Sequence, residues 1–244
     1  WFHRRRCDKD AAGYAALRDL VGLFCGSEGT LGVVTRVELA LLPRPAAFLG
    51  GLAFFGSVGE ALAFVGAARI EDRAGNGVRP RCLELLDGAC REIMRAQGSG
   101  VVLPAGAGAA VFFEEEHPGD EGPALESWWA LLERSPGALP EDTVVATDRA
   151  RQEELRSLRH AVPATLNEEG RFHAAQGGRK ISTDWAVPFE ALAPLMARCD
   201  AWLAEAGLLR VARYGHVGNG HPHYNVIVRD AAEAARASVL VHRM

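Results

Sequence analysis

The chain has 244 residues, with 27 Lys and Arg against 31 Asp and Glu, a formal charge of -4, and 48% hydrophobic and 24% charged residues. That composition is ordinary for a globular protein able to bury a substantial core. The acidic balance argues against a phosphate-tracking surface, so no nucleic-acid partner is expected. No apolar run reaches the ~20 residues that a membrane-spanning helix requires. Five cysteines (Cys7, Cys25, Cys82, Cys90 and Cys199) form no CxxC pair. Neither a zinc knuckle nor a disulfide framework is indicated, and the odd count reads as reduced thiols in a cytoplasmic protein. The basic run at 3–6 could suggest targeting, but no hydrophobic stretch follows it.

In chain order, the first informative segment is Phe24-Cys25-Gly26-Ser27-Glu28-Gly29-Thr30-Leu31-Gly32-Val33-Val34-Thr35. Its closely spaced glycines, with a hydroxyl and a carboxylate between them, make a loop that a large anionic ligand can approach on backbone N–H groups. The β-branched run at 33–39 that follows reads as a strand. Pro43 and Pro45 end that pattern, and a new apolar run opens at Phe48. Phe48–Phe55 reads as a strand, and Ser57 with Glu60 as the capping box of a helix over 58–70. A strand at Cys82–Leu86 leads into a helix to about Ala96. Ala109–Glu115 is a further strand, and 121–134 a helix with Trp128, Trp129, Leu131 and Leu132 on its apolar side. Thr143–Thr147 is a strand, and Asp148 caps a charged helix that runs to about His160. Lys180–Val187 is a strand, followed by a helix at 189–206, strands near 208–214 and 223–228, and a last helix from Asp230. Segments 97–108 and 117–123 are loops, and there is no internal repeat. Strands separated by helices predict a layered α+β or α/β sheet with helices on one face.

Between the last two strands lies Tyr214-Gly215-His216-Val217-Gly218-Asn219-Gly220-His221-Pro222-His223-Tyr224-Asn225, with three histidines and three glycines. Glycine lets a backbone fold tightly enough to aim several imidazoles at one point, and imidazole is both a metal ligand and a group titrating near neutrality. His216 and His223 are the candidate ligand pair. Two histidines do not complete a metal site, so they are alternatively hydrogen-bonding groups for a substrate. Asn225 lies two residues beyond His223, hence on the same strand face; it either contacts a ligand or satisfies its own backbone.

Together the two segments resemble the FAD-binding type 4 oxidoreductases, the group that holds D-lactate dehydrogenase, glycolate oxidase and D-2-hydroxyglutarate dehydrogenase. These enzymes carry GSEGTLGV(I/V)T late in the flavin domain and GHxGxGxxHxN late in the substrate domain, in the order found here. The resemblance implies an α+β fold: the C-terminal piece of a flavin-binding domain at 1–45, then a substrate-binding cap domain at 46–244 with an antiparallel sheet covered by helices. It implies FAD as cofactor, with Gly26, Ser27, Glu28, Gly29, Thr30, Gly32 and Val33 near it. A divalent metal, zinc being the expected one, is implied at His216 and His223, which are also the catalytic candidates, and a substrate contact at Asn225. The sequence departs from the commoner GDGNxH pattern at Asn219 and His221; Pro222 restricts the backbone there, so His221 is expected to face solvent or the flavin.

Leu155-Arg156-Ser157-Leu158-Arg159-His160-Ala161-Val162-Pro163 resembles the family's LWxxRxxxP helix, which makes Arg159 the candidate grip on a substrate carboxylate, a role suited to its planar fork. Arg156 replaces the tryptophan. The strand Lys180-Ile181-Ser182-Thr183-Asp184 resembles the one that supplies a substrate lysine. Ser182 stands where some members have that lysine, and Lys180 lies on the same face two residues earlier. The implied reaction is oxidation of a small 2-hydroxy acid to the 2-oxo acid by hydride transfer to flavin. The family's main pyrophosphate loop and a last glutamate-histidine motif are not found, so the chain reads as an internal fragment, and inactivity of this piece is one alternative. Another is an alkylglycerone-phosphate synthase-like enzyme, which a phosphate-binding arginine cluster would favour. The expected partner is a small 2-hydroxy acid, with a homodimer as an open expectation and the electron acceptor unassigned.

Overall fold

The computed structural model describes Lys9, residues 19–98 and residues 100–244. Cys7 and the basic run at 3–6 lie outside the described residues. Among the described residues, seven α-helices and seven strands follow one another as α1 (Leu20–Phe24), β1 (Ala47–Phe55), α2 (Val58–Ala74), β2 (Pro80–Asp87), α3 (Gly88–Ala96), β3 (Ala109–His117), α4 (Gly122–Glu133), β4 (Val144–Ala146), α5 (Arg149–Phe172), β5 (Gly177–Ser182), α6 (Phe189–Glu205), β6 (Val211–His216), β7 (His221–Asp230) and α7 (Ala231–Arg243). The strands form one sheet in the order β4-β1-β3-β2-β6-β7-β5, and every neighbouring pair is antiparallel. The fold is α+β.

Helices cover both faces rather than one. On the first face, Leu49, Phe55, Val111, Phe113, Tyr224 and Val226 pack against buried residues of α2, α4, α6 and α7. On the second, Leu52, Phe54, Phe112 and Ile227 pack against α3 and α5. The reason is legible in β1 and β3: FLGGLAFF and AAVFF are continuous apolar runs, whereas a strand with one wet face alternates.

Local signals set the helix starts. Ser57 caps α2 by accepting from Glu60 N at 3.2 Å while its hydroxyl donates to Glu60 Oε2 at 3.0 Å. Asp148 caps α5 through Arg151 N at 2.9 Å, and Asp230 caps α7 through Glu233 N at 2.8 Å. Tertiary packing overrides other expectations. Helix α5 does not stop near His160 but runs through Pro163 to Phe172. Proline there leaves the Arg159 carbonyl without its helical partner, yet the stripe Leu155, Leu158, Val162 and Leu166 stays buried on the sheet and outweighs that loss. Trp128 is buried and its Nε1 donates to Glu115 Oε2 at 2.9 Å, but its neighbour Trp129 is exposed. Strand β5 ends at Ser182 because the Thr183 hydroxyl takes over the ladder, accepting from Tyr224 N at 3.0 Å. The run at 33–39 forms no strand; among the described residues it has no sheet partner, and Val33 is 91% exposed. β-branched sequence alone does not make a strand without a neighbour to satisfy its N–H and C=O groups.

Candidate functional site

Strands β6 and β7 form a hairpin whose register decides which side chains meet. His216 lies opposite His221, Tyr214 opposite His223 and Ala212 opposite Asn225. Residues opposite one another in an antiparallel pair share a face, so all three histidines and Asn225 stand on the face covered by α5. Gly220 closes the turn at φ +74°, and a Cβ there would strike the Val187 carbonyl. The same register continues across the sheet: Leu86 opposes Tyr214, which puts Glu84 opposite His216, and Ser182 opposes Asn225. A polar strip therefore runs over an otherwise apolar sheet, with Arg159 of α5 above it.

Glu84 is the hub of the strip. It is 5% exposed and accepts from Arg159 Nε at 2.5 Å and Nη2 at 2.6 Å, and from His216 Nδ1 at 3.0 Å. Burial pushes its carboxyl upward, but the hydrogen bonds from His216 and Arg159 and their charges outweigh that and hold it at about 2. Arg159 therefore has an internal carboxylate on its Nε–Nη2 edge, while the end edge formed by Nη1 and Nη2 has only a 3.4 Å approach to His160. Beside it, Arg156 donates from Nε to Glu114 Oε1 at 2.7 Å.

The histidines fall into two kinds. His223 Nδ1 lies 3.2 Å from the Thr183 carbonyl, and a carbonyl only accepts, so Nδ1 carries the proton and Nε2 the lone pair. His216 donates Nδ1 to the Glu84 carboxylate in the same way, and its ring centroid lies 5.8 Å from that of His223. A ring N–H anchored on an oxygen is how ligating histidines are held, and both His216 and His223 have such an anchor. His221 differs. Contrary to the sequence expectation it is buried, 4% exposed, and both ring nitrogens are engaged, Nε2 with Asp184 Oδ1 and Nδ1 with Lys9 Nζ, each at 2.5 Å. Burial pushes its pKa down against the pull of Asp184. Among the described residues, Asp184, His221 and His223 have ligand atoms within 4.8 Å of one another. His221 can join a metal there only by releasing one of its two partners.

Asn225 is buried; its Oδ1 accepts from Ser182 Oγ at 2.8 Å and its Nδ2 donates to the His223 carbonyl at 3.3 Å. One N–H of the amide remains for a ligand. Lys180 is half-buried on the same face, and its pKa is lowered by burial. Its strand passes so close to α5 that a Cβ on Gly170 would lie 2.6 Å from Lys180 N. The glycine loop spans Gly26–Gly32. Glu28 is held at φ 49° and Gly29 at φ 79°, Thr30 Oγ1 donates to the Ser27 carbonyl at 2.7 Å, and a Cβ at Gly29 or Gly32 would meet open space. The loop thus offers backbone to a large ligand. Glu84 and Asp184 were not singled out from sequence. Glu84 does carry a signal, one carboxylate inside the apolar run Cys82–Leu86.

Residues 44–244 match the family of FAD linked oxidases, C-terminal domain. The chain belongs to this FAD-linked oxidase family. It is 31% identical over 229 residues to the glycolate oxidase subunit GlcD of Escherichia coli, covering 91% of this chain and 42% of that protein. It is 29% identical over 233 residues to the mitochondrial D-2-hydroxyglutarate dehydrogenase of Bos taurus, covering 95% and 39%. Against the mitochondrial D-lactate dehydrogenase [cytochrome] of Arabidopsis thaliana it is 28% identical over 232 residues, covering 95% and 37%. The chain thus spans about two fifths of the length of these relatives. Among solved structures, an alkyldihydroxyacetonephosphate synthase superposes with a TM-score of 0.60 at 12% identity, covering 91% of this chain and 43% of that one, a likeness of fold alone.

Proposed function

We propose that this chain is the cap-domain portion, with the end of the flavin domain, of an enzyme that oxidises a small 2-hydroxy acid to the 2-oxo acid. The observation that carries the reading is the pair His216 and His223, each with Nδ1 anchored and Nε2 free, beside Arg159 and Asn225 in a chain of the FAD-linked oxidase family. When bound, FAD supplies the hydride acceptor and a divalent cation supplies Lewis acidity toward the substrate hydroxyl.

The chain's own residues position the acid. The end edge of Arg159 holds the substrate carboxylate, and Glu84 keeps the Arg159 plane fixed from its other side. Asn225 donates its remaining N–H to the substrate, and its Oδ1 is fixed by Ser182 so that the amide keeps that orientation. His216 and His223 would hold the cation, and Gly26, Ser27, Glu28, Gly29, Thr30, Gly32 and Val33 would hold FAD.

The test is anaerobic mixing of the flavin-loaded full-length protein with glycolate, D-lactate and D-2-hydroxyglutarate. Bleaching of the oxidised flavin spectrum by at least one of them is expected, and a spectrum unchanged by all three overturns the reading. A second reading, a non-redox synthase on FAD, is favoured by one observation: Arg69, Arg73 and Arg81 line a common cavity. The histidine pair and Asn225 favour the oxidoreductase.

A further inference from the structure

Glu84 receives donors from two different elements. Its Oε2 accepts from Arg159 Nε at 2.5 Å, and its Oε1 accepts both from Arg159 Nη2 at 2.6 Å and from His216 Nδ1 at 3.0 Å. Cys82 Sγ approaches the same Oε1 at 3.7 Å. Arg159 belongs to α5 and His216 to the end of β6, while Glu84 stands on the neighbouring strand β2. One buried carboxylate thus fixes two side chains that no shared element aligns.

Three N–H groups converge on two oxygens, and that sets what can stand at this position. An ionised carboxylate accepts at both oxygens, whereas an amide has one acceptor and one NH₂ donor. A glutamine would turn its NH₂ either on Arg159 Nε or on Nη2 and His216 Nδ1 together, so a donor would meet a donor in both orientations. Burial leaves such a mismatch unrelieved. The two fixed groups face different ligands. With Nδ1 on Oε1, His216 presents Nε2 as its lone-pair nitrogen, and a carboxylate anchor also raises the basicity of a ligating imidazole. With Nε and Nη2 on Glu84, the guanidinium plane of Arg159 is set and its end edge is turned away from Glu84.

We propose that Glu84 is a positioning residue for both halves of the site: it aims His216 at a cation and, from the same oxygen, Arg159 at a substrate carboxylate, while touching neither ligand itself. The proposal rests on the reading of the site as one for a cation and a 2-hydroxy acid, and it adds a residue from a third element to it.

The test is calorimetric binding to the flavin-loaded full-length protein of zinc alone and, after chelator treatment, of propionate, an unreactive carboxylate without the hydroxyl. In Glu84→Gln, zinc affinity should fall at least ~10-fold, the usual cost of losing a ligand's anchor, and propionate affinity several-fold. The stoichiometry per folded protein and the flavin spectrum should stay as in the wild type, which separates lost aim from lost fold. Glu84→Asp keeps the counter-charge but draws the oxygens back by one methylene. Both affinities should fall in it, each by less than in Glu84→Gln, and it carries the test should the glutamine variant fail to fold. Glu169→Gln loosens a different tie of α5, to Arg210, and should leave both affinities unchanged. Wild-type affinities in the Glu84 variants overturn the proposal, as does loss of one affinity with the other intact, or equal losses in Glu169→Gln. Failure of the wild type to bind zinc or propionate overturns it together with the site reading. Both bindings with the expected losses, but no 2-hydroxy acid oxidised, keep the role of Glu84 and remove only the proposed reaction.

Discussion

The three histidines of this turn differ in what their nitrogens touch. Among the described residues, His216 and His223 keep Nε2 free, while His221 has both nitrogens engaged. Replacing His216 or His223 with alanine is therefore expected to remove the metal from the full-length protein, and the double variant to be scarcely worse than either single one, because paired ligands act as a unit. Metal content and turnover of the variants are the measurements. Full metal occupancy in His223→Ala would remove the assignment, and metal loss in His221→Ala would move the site to Asp184, His221 and His223. Glu84 gives a second prediction. Glu84→Gln keeps the shape but leaves the half-buried Arg159 without its counter-charge, so unfolding should cost about 3 kcal/mol less. Denaturant titration reads this directly, and a change below about 0.5 kcal/mol would mean that the pair is dispensable.

Among the elements, α5 carries the arginine and must be held against the sheet. Gly170 brings it onto β5, where a Cβ would lie 2.6 Å from Lys180 N and 3.2 Å from its Cα. Gly170→Ala is compatible with the helix but not with that contact, and is expected to destabilise by about 1–3 kcal/mol through overpacking; a stabilised variant would show that α5 shifts freely. The end of the helix is tied by Glu169, whose oxygens accept from Arg210 Nε at 2.8 Å and Nη2 at 2.6 Å. The hydrogen bond from Arg210, against the opposing effect of burial, lowers the Glu169 pKa below its ordinary 4.5. A carboxyl depressed in the folded state contributes stability above its unfolded pKa and loses it as pH falls through the folded one. Glu169→Gln should thus lower stability near neutrality, by no more than about 1 kcal/mol for a pair this exposed, and the difference should shrink as pH falls below the ordinary carboxylate range through the lowered folded pKa. A difference constant from pH 7 to 3 would assign the effect to packing.

For the whole molecule, the sheet and the segment before it are built differently. Every strand from β1 to β7 has a ladder partner, whereas residues 31–44 have none among the described residues and expose Val33, Leu41 and Leu42. Hydrogen exchange of the 244-residue chain should show fast amides over 31–44 and slow ones in β1, β2 and β3, whose opening requires breaking both faces of the core. Protection over 31–44 equal to that of β3 would mean that this segment pairs with structure.

Residue order alone determined the family, the α+β class, the alternation of elements and the helix caps at Ser57, Asp148 and Asp230, because motifs, periodicity and capping are local and are written within a few residues. The same locality makes Arg159, His216, His223 and Asn225 candidates, each from its motif. Only the tertiary structure decided the second helical layer, the continuation of α5 through Pro163, and the burial of His221 against Asp184. These depend on what lies across the sheet, which no local pattern encodes. Glu84 shows the difference most clearly: a carboxylate in the run Cys82–Leu86 is visible in the sequence, but its pairing with Arg159, 75 positions away, and with His216 is fixed by strand register. A register slip of one residue would turn Glu84 to the opposite face and separate both partners from it.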